Sequence, residues 1–153
     1  MGTELTAQAL TVTITEALAV DHANGSTNDL DFAQTYTHTY SSIANVTKRI
    51  IKLANTNLTE IATFGSDTQN GAFVRADIRY IRVTNLDASD ALQVGMDDED
   101  SDAAYTSVAA DSSIIFTGTT VEGGNGGTTL DNATALKVKG AANQQLELFI
   151  ASS

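Results

Sequence analysis

The segment Phe73–Asp87 constrains the fold more than any other part of the chain. It is rich in β-branched and aromatic residues, and it ends on a turn-prone run, Thr-Asn-Leu-Asp. In an extended conformation its first half has one apolar and one charged face, and its second half is apolar on both faces. The apolar row is Val74, Ala76, Ile78 and Tyr80, and the opposite row is Arg75, Asp77, Arg79, Ile81 and Val83. This pattern predicts a central strand of a packed sheet, covered on both sides at its far end.

The same two-residue alternation recurs along the whole chain and predicts about nine short strands. The other strand candidates are Leu10–Thr15 (extended by Leu18 and Val20), Tyr36–Tyr40, Leu58–Phe64, Leu92–Met96, Tyr105–Val108, Ser113–Thr117, Ala135–Lys139 and Gln145–Ile150. Val46–Leu53 fits a strand or a helical stripe, and its β-branched residues favour the strand. We therefore predict one all-β domain over residues 1–153, an antiparallel β-sandwich of jelly-roll-like architecture. Ile78, Tyr80, Ile81, Leu146, Leu148 and Ile150 are expected to be buried.

Composition narrows the partners that the protein can have. The chain has no Cys, Pro or Trp, so disulfides, thiolate metal sites and cysteine nucleophiles are excluded. The formal net charge of −11 repels phosphates and disfavours nucleic-acid binding. The sequence contains neither a signal-peptide pattern nor an apolar run long enough for a membrane span, so synthesis in a cytosol and no membrane partner are expected.

An acidic loop is the best candidate for a metal site. Asp98, Asp100 and Asp102 have the alternate spacing of calcium-binding loops. An EF-hand would also need Gly at position 103 and Glu at position 109, and both positions are Ala. The sequence therefore favours a solvated, self-repelling hairpin tip, and no metal or other cofactor is expected.

No motif predicts an enzyme. The two histidines, His22 and His38, lie far from any paired metal-ligand or triad pattern, and His38 alternates with Tyr36 and Tyr40 as part of an aromatic row. The glycine-rich run Gly123–Gly127 lacks the Gly-Lys-Ser/Thr and the helix of a phosphate loop. We expect no catalytic activity.

Basic residues concentrate in the middle of the chain and suggest an interface. They are Lys48, Arg49, Lys52, Arg75, Arg79 and Arg82. They could form a docking face, for which Arg75, Asp77, Arg79, Lys48 and Arg49 are the interface candidates. Alternatively, they pair within the chain with Asp77 and Glu60 on neighbouring strands.

Five stretches of the chain resemble small virion structural proteins of tailed bacteriophages, especially phages of aquatic and marine bacteria. They are Thr13–Glu16, Ile43–Ile51, Thr59–Gly65, Phe73–Asp87 and Leu146–Ser152, and the resemblance as a whole covers most of the chain. Phe73–Asp87 is the most specific stretch, and the acidic and glycine-rich loops depart from the resemblance. The resemblance implies a structural component of the virion and supplies no catalytic residues.

A capsid cement, or decoration, protein is the leading functional hypothesis. Such a protein would sit on the outer head surface, bind the major capsid protein and act as a homo-oligomer, with a trimer favoured. The strands Leu10–Ile14 and Gln145–Ile150 could supply sheet edges that pair with neighbours. The alternatives are a tail, adaptor or fibre-base component bound to a tail protein, and a carbohydrate-binding β-sandwich, which the scarcity of aromatic residues disfavours.

Overall fold

The computed structural model describes residues 8–20, 30–98, 103–117, 120–121, 128–129 and 133–153. Strands make up most of this part of the chain. They are β1 (Gln8–Val20), β2 (Leu30–Ile43), β3 (Asn45–Lys52), β4 (Thr59–Gly65), β5 (Phe73–Val74), β6 (Ile78–Asn85), β7 (Leu92–Asp98), β8 (Ala103–Val108), β9 (Ser113–Phe116), β10 (Thr120–Val121), β11 (Thr128–Thr129), β12 (Ala133–Lys139) and β13 (Gln145–Ser152). Two short 3-10 turns cover Gln69–Gly71 and Arg75–Asp77.

Two sheets form a jelly-roll sandwich. The four-stranded sheet has the order β3-β13-β6-β9, and the five-stranded sheet has the order β5-β4-β12-β7-β8. If the two-residue β5 is left aside, each sheet has four strands. The strand orders of the two sheets are those of a jelly roll, which consists of two Greek keys. All pairings in the sandwich are antiparallel except that of β4 with β5. The predicted all-β sandwich is confirmed.

One apolar core fills the space between the sheets. It is built from alternate residues of strands on both sides, as the sequence alternation predicts. Its members with the lowest exposure include Ile81, Val83, Leu92, Leu136, Val138, Leu146 and Leu148. The six residues expected to be buried are all buried.

The segment that looks like one central strand is divided between the two sheets. Phe73 pairs with Phe64 in the five-stranded sheet, whereas Ile78 begins β6 in the four-stranded sheet. The 3-10 turn between them carries the chain across, and the N–H of Ile78 donates to the carbonyl of Arg75. The predicted charged strand face is therefore wrong for Arg75 and Asp77, because the chain must leave one sheet before it can enter the other.

Two further expectations about strands are settled by the pairing. Val46–Lys52 is a strand and not a helix, as its β-branched residues predict. The expectation that Gln145–Ile150 offers a free edge is wrong, because β13 lies between β3 and β6. The strand Leu10–Ile14 already pairs with β2 along one side.

A buried pair of amides fastens one end of the sandwich. The Asn85 amide donates to the carbonyls of Asp90, Val108 and Ala109, and the Gln144 amide donates to the Asn85 side-chain oxygen and to the Asp90 carbonyl. Both residues are almost inaccessible to water. These bonds tie together three connections between strands, and they satisfy carbonyls that would otherwise be buried without a donor.

Candidate interaction surface

A long β-ribbon precedes the sandwich, and we call it the arm. It consists of β1 and β2, which pair in register from Leu10 opposite Tyr40 to Val20 opposite Leu30. At about 3.3 Å per residue, a strand of 13 residues spans roughly 40 Å. The arm is therefore longer than the sandwich strands, which have at most 8 residues each.

The two faces of the arm have different chemistry. Cross-strand partners share a face, so one face carries an apolar and aromatic row and the other carries threonines. The apolar row consists of Leu10, Val12 and Ile14 opposite Tyr40, His38 and Tyr36. On the other face the hydroxyls of Thr11 and Thr39, Thr13 and Thr37, and Thr15 and Thr35 lie 3.3 to 3.4 Å apart.

A β-bulge sets the direction of the arm. Between Tyr40 and Ile43 the second strand has two intervening residues, whereas the first strand has one between Leu10 and Gln8. Ser42 adopts a positive φ of 60°, a conformation that bends the strand at a bulge. Directly after it, the N–H of Ala44 donates to the carbonyl of Ser152, so the chain joins the four-stranded sheet at this point.

The base of the arm covers part of the outer face of the four-stranded sheet. Leu10, Val12 and Tyr40 pack against a small apolar cluster that contains Tyr80 and Phe149. The rings of Tyr40 and Tyr80 are 5.8 Å apart, and those of Tyr80 and Phe149 are also 5.8 Å apart in an edge-to-face arrangement. Burial in this cluster raises the pKa of Tyr80. Tyr80 is thus covered by the arm, while its neighbour Ile81 points into the core.

Beyond its base, the described part of the arm is open to solvent on both faces. All side chains from Thr13 to Ala17 and from Ala33 to Thr39 are exposed. Ile14 and Tyr36, which face each other in the apolar row, are 46% and 51% exposed. A two-stranded ribbon with no covered face is at best marginally stable in water, so this segment is expected to be covered in the working state.

The outer face of the four-stranded sheet is also open on the side away from the arm. Side chains at alternate positions of edge strand β3 line this side, namely Val46, Lys48, Ile50 and Lys52. Val46 is 55% exposed and Ile50 is 65% exposed. Two apolar side chains with a lysine between them therefore form an uncovered strip beside the cluster that receives the arm.

Glu147 organises the charges of this outer face. Its carboxylate accepts bonds from Lys48 at 3.1 Å and from Arg82 at 2.6 Å. The hydrogen bond from Lys48, helped by the bond from Arg82, lowers the pKa of Glu147 against the opposing effect of desolvation. The Arg82 guanidinium also lies over the Phe149 ring, 5.6 Å from its centroid.

The interface candidates predicted from the sequence do not form one patch. Lys48 lies on the outer face of the four-stranded sheet, whereas Arg49 points to the opposite side of β3 and donates to the carbonyl of Ile61. Arg75 and Asp77 lie in the 3-10 turn, and Arg79 donates back to the Ala76 carbonyl. Lys48 and Arg49 thus point to opposite sides of β3, and Arg75 and Asp77 lie in the turn before β6, so the five residues do not share one face. A docking role for them stays a prediction.

Pairing within the chain, the alternative interpretation, occurs among the described residues. Lys48 and Arg82 pair with Glu147, which the sequence pattern did not single out. Within the part of the chain that the structure describes, the arm is the surface that sequence reasoning missed. The sequence does contain an indication of the arm, namely the two Thr-x-Thr-x-Thr runs at 11–15 and 35–39. Two such matched rows predict a pair of strands whose threonines lie on one face.

The outer face of the five-stranded sheet is polar by contrast. Asp97 forms an ion pair with Lys137 and accepts a hydrogen bond from the Tyr105 hydroxyl at 2.9 Å. Burial, together with the bond to Asp97, raises the pKa of Tyr105 to about 12. Asp97, Lys137 and Tyr105 are thus polar groups of this face that find partners within the chain.

Other residues singled out in the sequence lie largely outside the described residues. Asp98 ends β7, while Asp100, Asp102, His22 and Gly123–Gly127 are not described. His38 stacks near Tyr40, with ring centroids 4.4 Å apart, in the aromatic row that the sequence predicts. Among the described residues, no group of three His, Cys, Asp or Glu side chains could hold a metal ion. No helix in that same part is long and apolar enough to cross a membrane.

No protein-family model, no curated protein and no solved structure matches the chain.

Proposed function

We propose that this protein is a non-enzymatic structural protein of a bacteriophage virion, and specifically a cement protein of the outer head surface. The observation that carries the proposal is the arm, a ribbon with an exposed apolar row attached to a jelly-roll sandwich that is complete without it. Cementing needs contact area and reach, and the arm offers both.

The reach of the arm suits the bridging of neighbouring subunits. Its strands extend for roughly 40 Å, and among their described side chains those at the base pack on the sandwich. A sandwich bound to one capsid subunit could therefore place the arm on the next. The major capsid protein is the proposed partner, and a homo-oligomer, with a trimer favoured, would multiply weak contacts through effective concentration.

Two further lines support a virion role. The five stretches named above resemble virion structural proteins of tailed phages. The jelly roll is a common architecture of viral capsid domains, although fold alone does not determine function.

The jelly roll is also an architecture of lectin domains, and this keeps the carbohydrate-binding alternative open. One cleft of about 290 Å³ lies between the start of β3, the end of β13 and β5, and another of about 320 Å³ lies between β3 and β4. Phe73 lines both clefts, and Arg49 and Glu60 line the second. The exposed tyrosines Tyr36 and Tyr105 line neither cleft, so Phe73 is the aromatic side chain that either cleft offers to a sugar.

Copy number in purified particles tests the proposal. Quantitative mass spectrometry of virions, normalised to the major capsid protein, is expected to give hundreds of copies per particle, as a head-lattice position requires. A dozen or so copies would instead indicate a tail, adaptor or fibre-base component. Absence from purified particles would contradict a virion role altogether, and a glycan-binding screen would then test the carbohydrate alternative.

A further inference from the structure

Each copy of the protein carries two apolar strips that no described part of the chain covers. One is the distal apolar row of the arm, represented by Ile14 and Tyr36. The other is the β3 strip of the outer sheet face, with Val46 and Ile50. Both strips are extended and narrow, so they fit each other in shape.

The contact at the base of the arm shows what the arm packs against. There the same apolar row, through Leu10, Val12 and Tyr40, lies on the outer face of the chain's own four-stranded sheet. On the arm, Ile14 follows Leu10 and Val12 on the same face, so the exposed row continues the covered one. On the sheet, the covered residue Phe149 lies opposite Lys48 of β3, so the β3 strip is directly beside the covered surface. The two open strips are thus continuations of the two sides of an existing contact.

The charges of the two strips are complementary. Glu16 lies on the same face of the arm as Ile14, and β1 and β2 contain no Lys or Arg. Among its described residues, the outer sheet face carries Lys48, Lys52 and Arg82 against one carboxylate, that of Glu147. In a chain of net charge −11, a cationic strip flanked by apolar residues favours an acidic ribbon and disfavours a basic or neutral one.

From these observations we propose that the arm of one copy docks, through its distal apolar row, on the β3 strip of a second copy. Each copy then gives one arm and receives one, and the number of copies follows from how this contact closes on itself. The proposal rests on the homo-oligomeric part of the proposed function and is independent of the place in the virion.

Cross-linking between two variants tests this contact directly. The chain has no cysteine, so single cysteines can be introduced without background. Purified full-length Ile14→Cys protein is mixed with mass-tagged Ile50→Cys protein and treated with a short bis-maleimide. The matched control replaces Ile14→Cys by Thr13→Cys, which places the thiol one residue away on the threonine face. We expect tagged–untagged products from the first mixture in clear excess over the control.

Self-association of charge variants gives the second readout. Ile14→Lys and Ile50→Asp are each expected to weaken self-association at least about tenfold by sedimentation velocity, because each buries a charge in the contact that faces charges of the same sign. Thr13→Lys and Leu58→Asp are the controls, since Thr13 lies on the opposite face of the arm and Leu58, 45% exposed, precedes β4 of the other sheet. They are expected to behave as the unaltered protein.

Each contrary result overturns the proposal in a recognisable way. Cross-links chiefly between two Ile14→Cys chains would show that arms pack on arms, and equal yields with the Thr13→Cys control would show no preferred contact. A strictly monomeric unaltered protein at high concentration would sink the homo-oligomer as well. None of these results bears on the copy number in virions, which tests the structural role separately.

Discussion

The sandwich and the arm are built from the same alternating strands, but the sandwich encloses its main apolar rows between two sheets, whereas the arm leaves the distal part of its row exposed. In the sandwich, apolar rows such as Leu146, Leu148 and Ile150 meet the opposite sheet and are excluded from water. In the arm, the corresponding row is covered at its base and exposed at Ile14 and Tyr36. Alternation thus determines which face is apolar, and the surface that covers this face decides whether the strand is structural or available for binding.

The largest expected difference in stability is between two isoleucine substitutions, one in the core and one in the arm. Ile78→Asp places a charge without a partner in the core and is expected to cost several kcal/mol, enough to abolish the cooperative unfolding transition. In the dilute protein, Ile14→Asp is expected to change the free energy of unfolding by less than about 1 kcal/mol, because Ile14 is exposed. Urea denaturation followed by circular dichroism measures both, and a cooperatively folding Ile78→Asp protein would contradict the assignment of the core.

The next effect concerns the amide pair at the end of the sandwich. A Cβ at position 140 would lie 2.0 Å from the side-chain oxygen of Gln144, so Gly140→Ala must displace the buried amide. A loss of about 1 to 3 kcal/mol is expected from the broken hydrogen bonds. Gly65→Ala is the comparison, because its added Cβ would lie 3.3 Å from the backbone oxygen of Asp67, a tight contact that touches no buried amide, and a smaller loss than at position 140 is expected. Thermal melts of the two variants decide the matter, and equal melting temperatures would argue against a structural role for the amide pair.

A smaller effect is expected from the charges beside the arm. Replacing Glu147 by Gln removes the negative charge that pairs with Lys48 and Arg82 and is expected to cost about 1 kcal/mol at pH 7. Because the folded state lowers the pKa of Glu147, this stabilisation is present above the ordinary glutamate range and is lost as the pH falls through the lowered pKa. The gap in unfolding free energy between the two proteins should therefore close in acid. A gap that stays constant from pH 7 to strongly acidic pH would indicate that the ionised carboxylate is not its cause.

Two substitutions of Ser42, in the bulge at the base of the arm, are expected to have different effects on the free energy of unfolding. Ser42→Gly removes the cost of a positive φ but adds freedom to the unfolded chain, so a net change within about 0.5 kcal/mol is expected. Ser42→Val, with a β-branched side chain at the same φ, is expected to be less stable by about 1 kcal/mol or more. The pair can be compared by chemical denaturation. Equal stability of the two variants would speak against a positive φ at this position.

No effect is expected from removal of metal ions. Asp98, Asp100 and Asp102 have a calcium-like spacing, but positions 103 and 109 lack the residues that complete such a loop. Incubation with a chelator should leave the melting temperature unchanged. A decrease that calcium reverses, and that is absent when the three aspartates are replaced, would instead establish a cation site.

The sequence predicts those features of the molecule that neighbouring residues determine, and it does not predict those that depend on pairing between distant residues. The period of the strands and the burial of Ile81 and Leu148 follow from alternation alone. The division of Phe73–Asp87 between two sheets does not, because β5 belongs with β4 through a pairing between distant residues. Likewise, the charge of Lys48 is visible in the sequence, but its partner Glu147 is almost a hundred positions away and is fixed only by the register of β3 with β13. The covering of Tyr80 by the arm depends on the bulge at Ser42, for which the sequence carries no glycine signal.

Amide hydrogen exchange at two protein concentrations tests the difference between sandwich and arm most directly. If the arm is completed by a second copy, the amides of Thr13–Ala17 and Ala33–Thr39 should become slower to exchange as the concentration rises. The amides of Leu146–Ala151, in the middle of the four-stranded sheet, should exchange slowly at both concentrations. Arm amides that exchange at the same fast rate at both concentrations would contradict the account, since they would show a ribbon that no other copy covers.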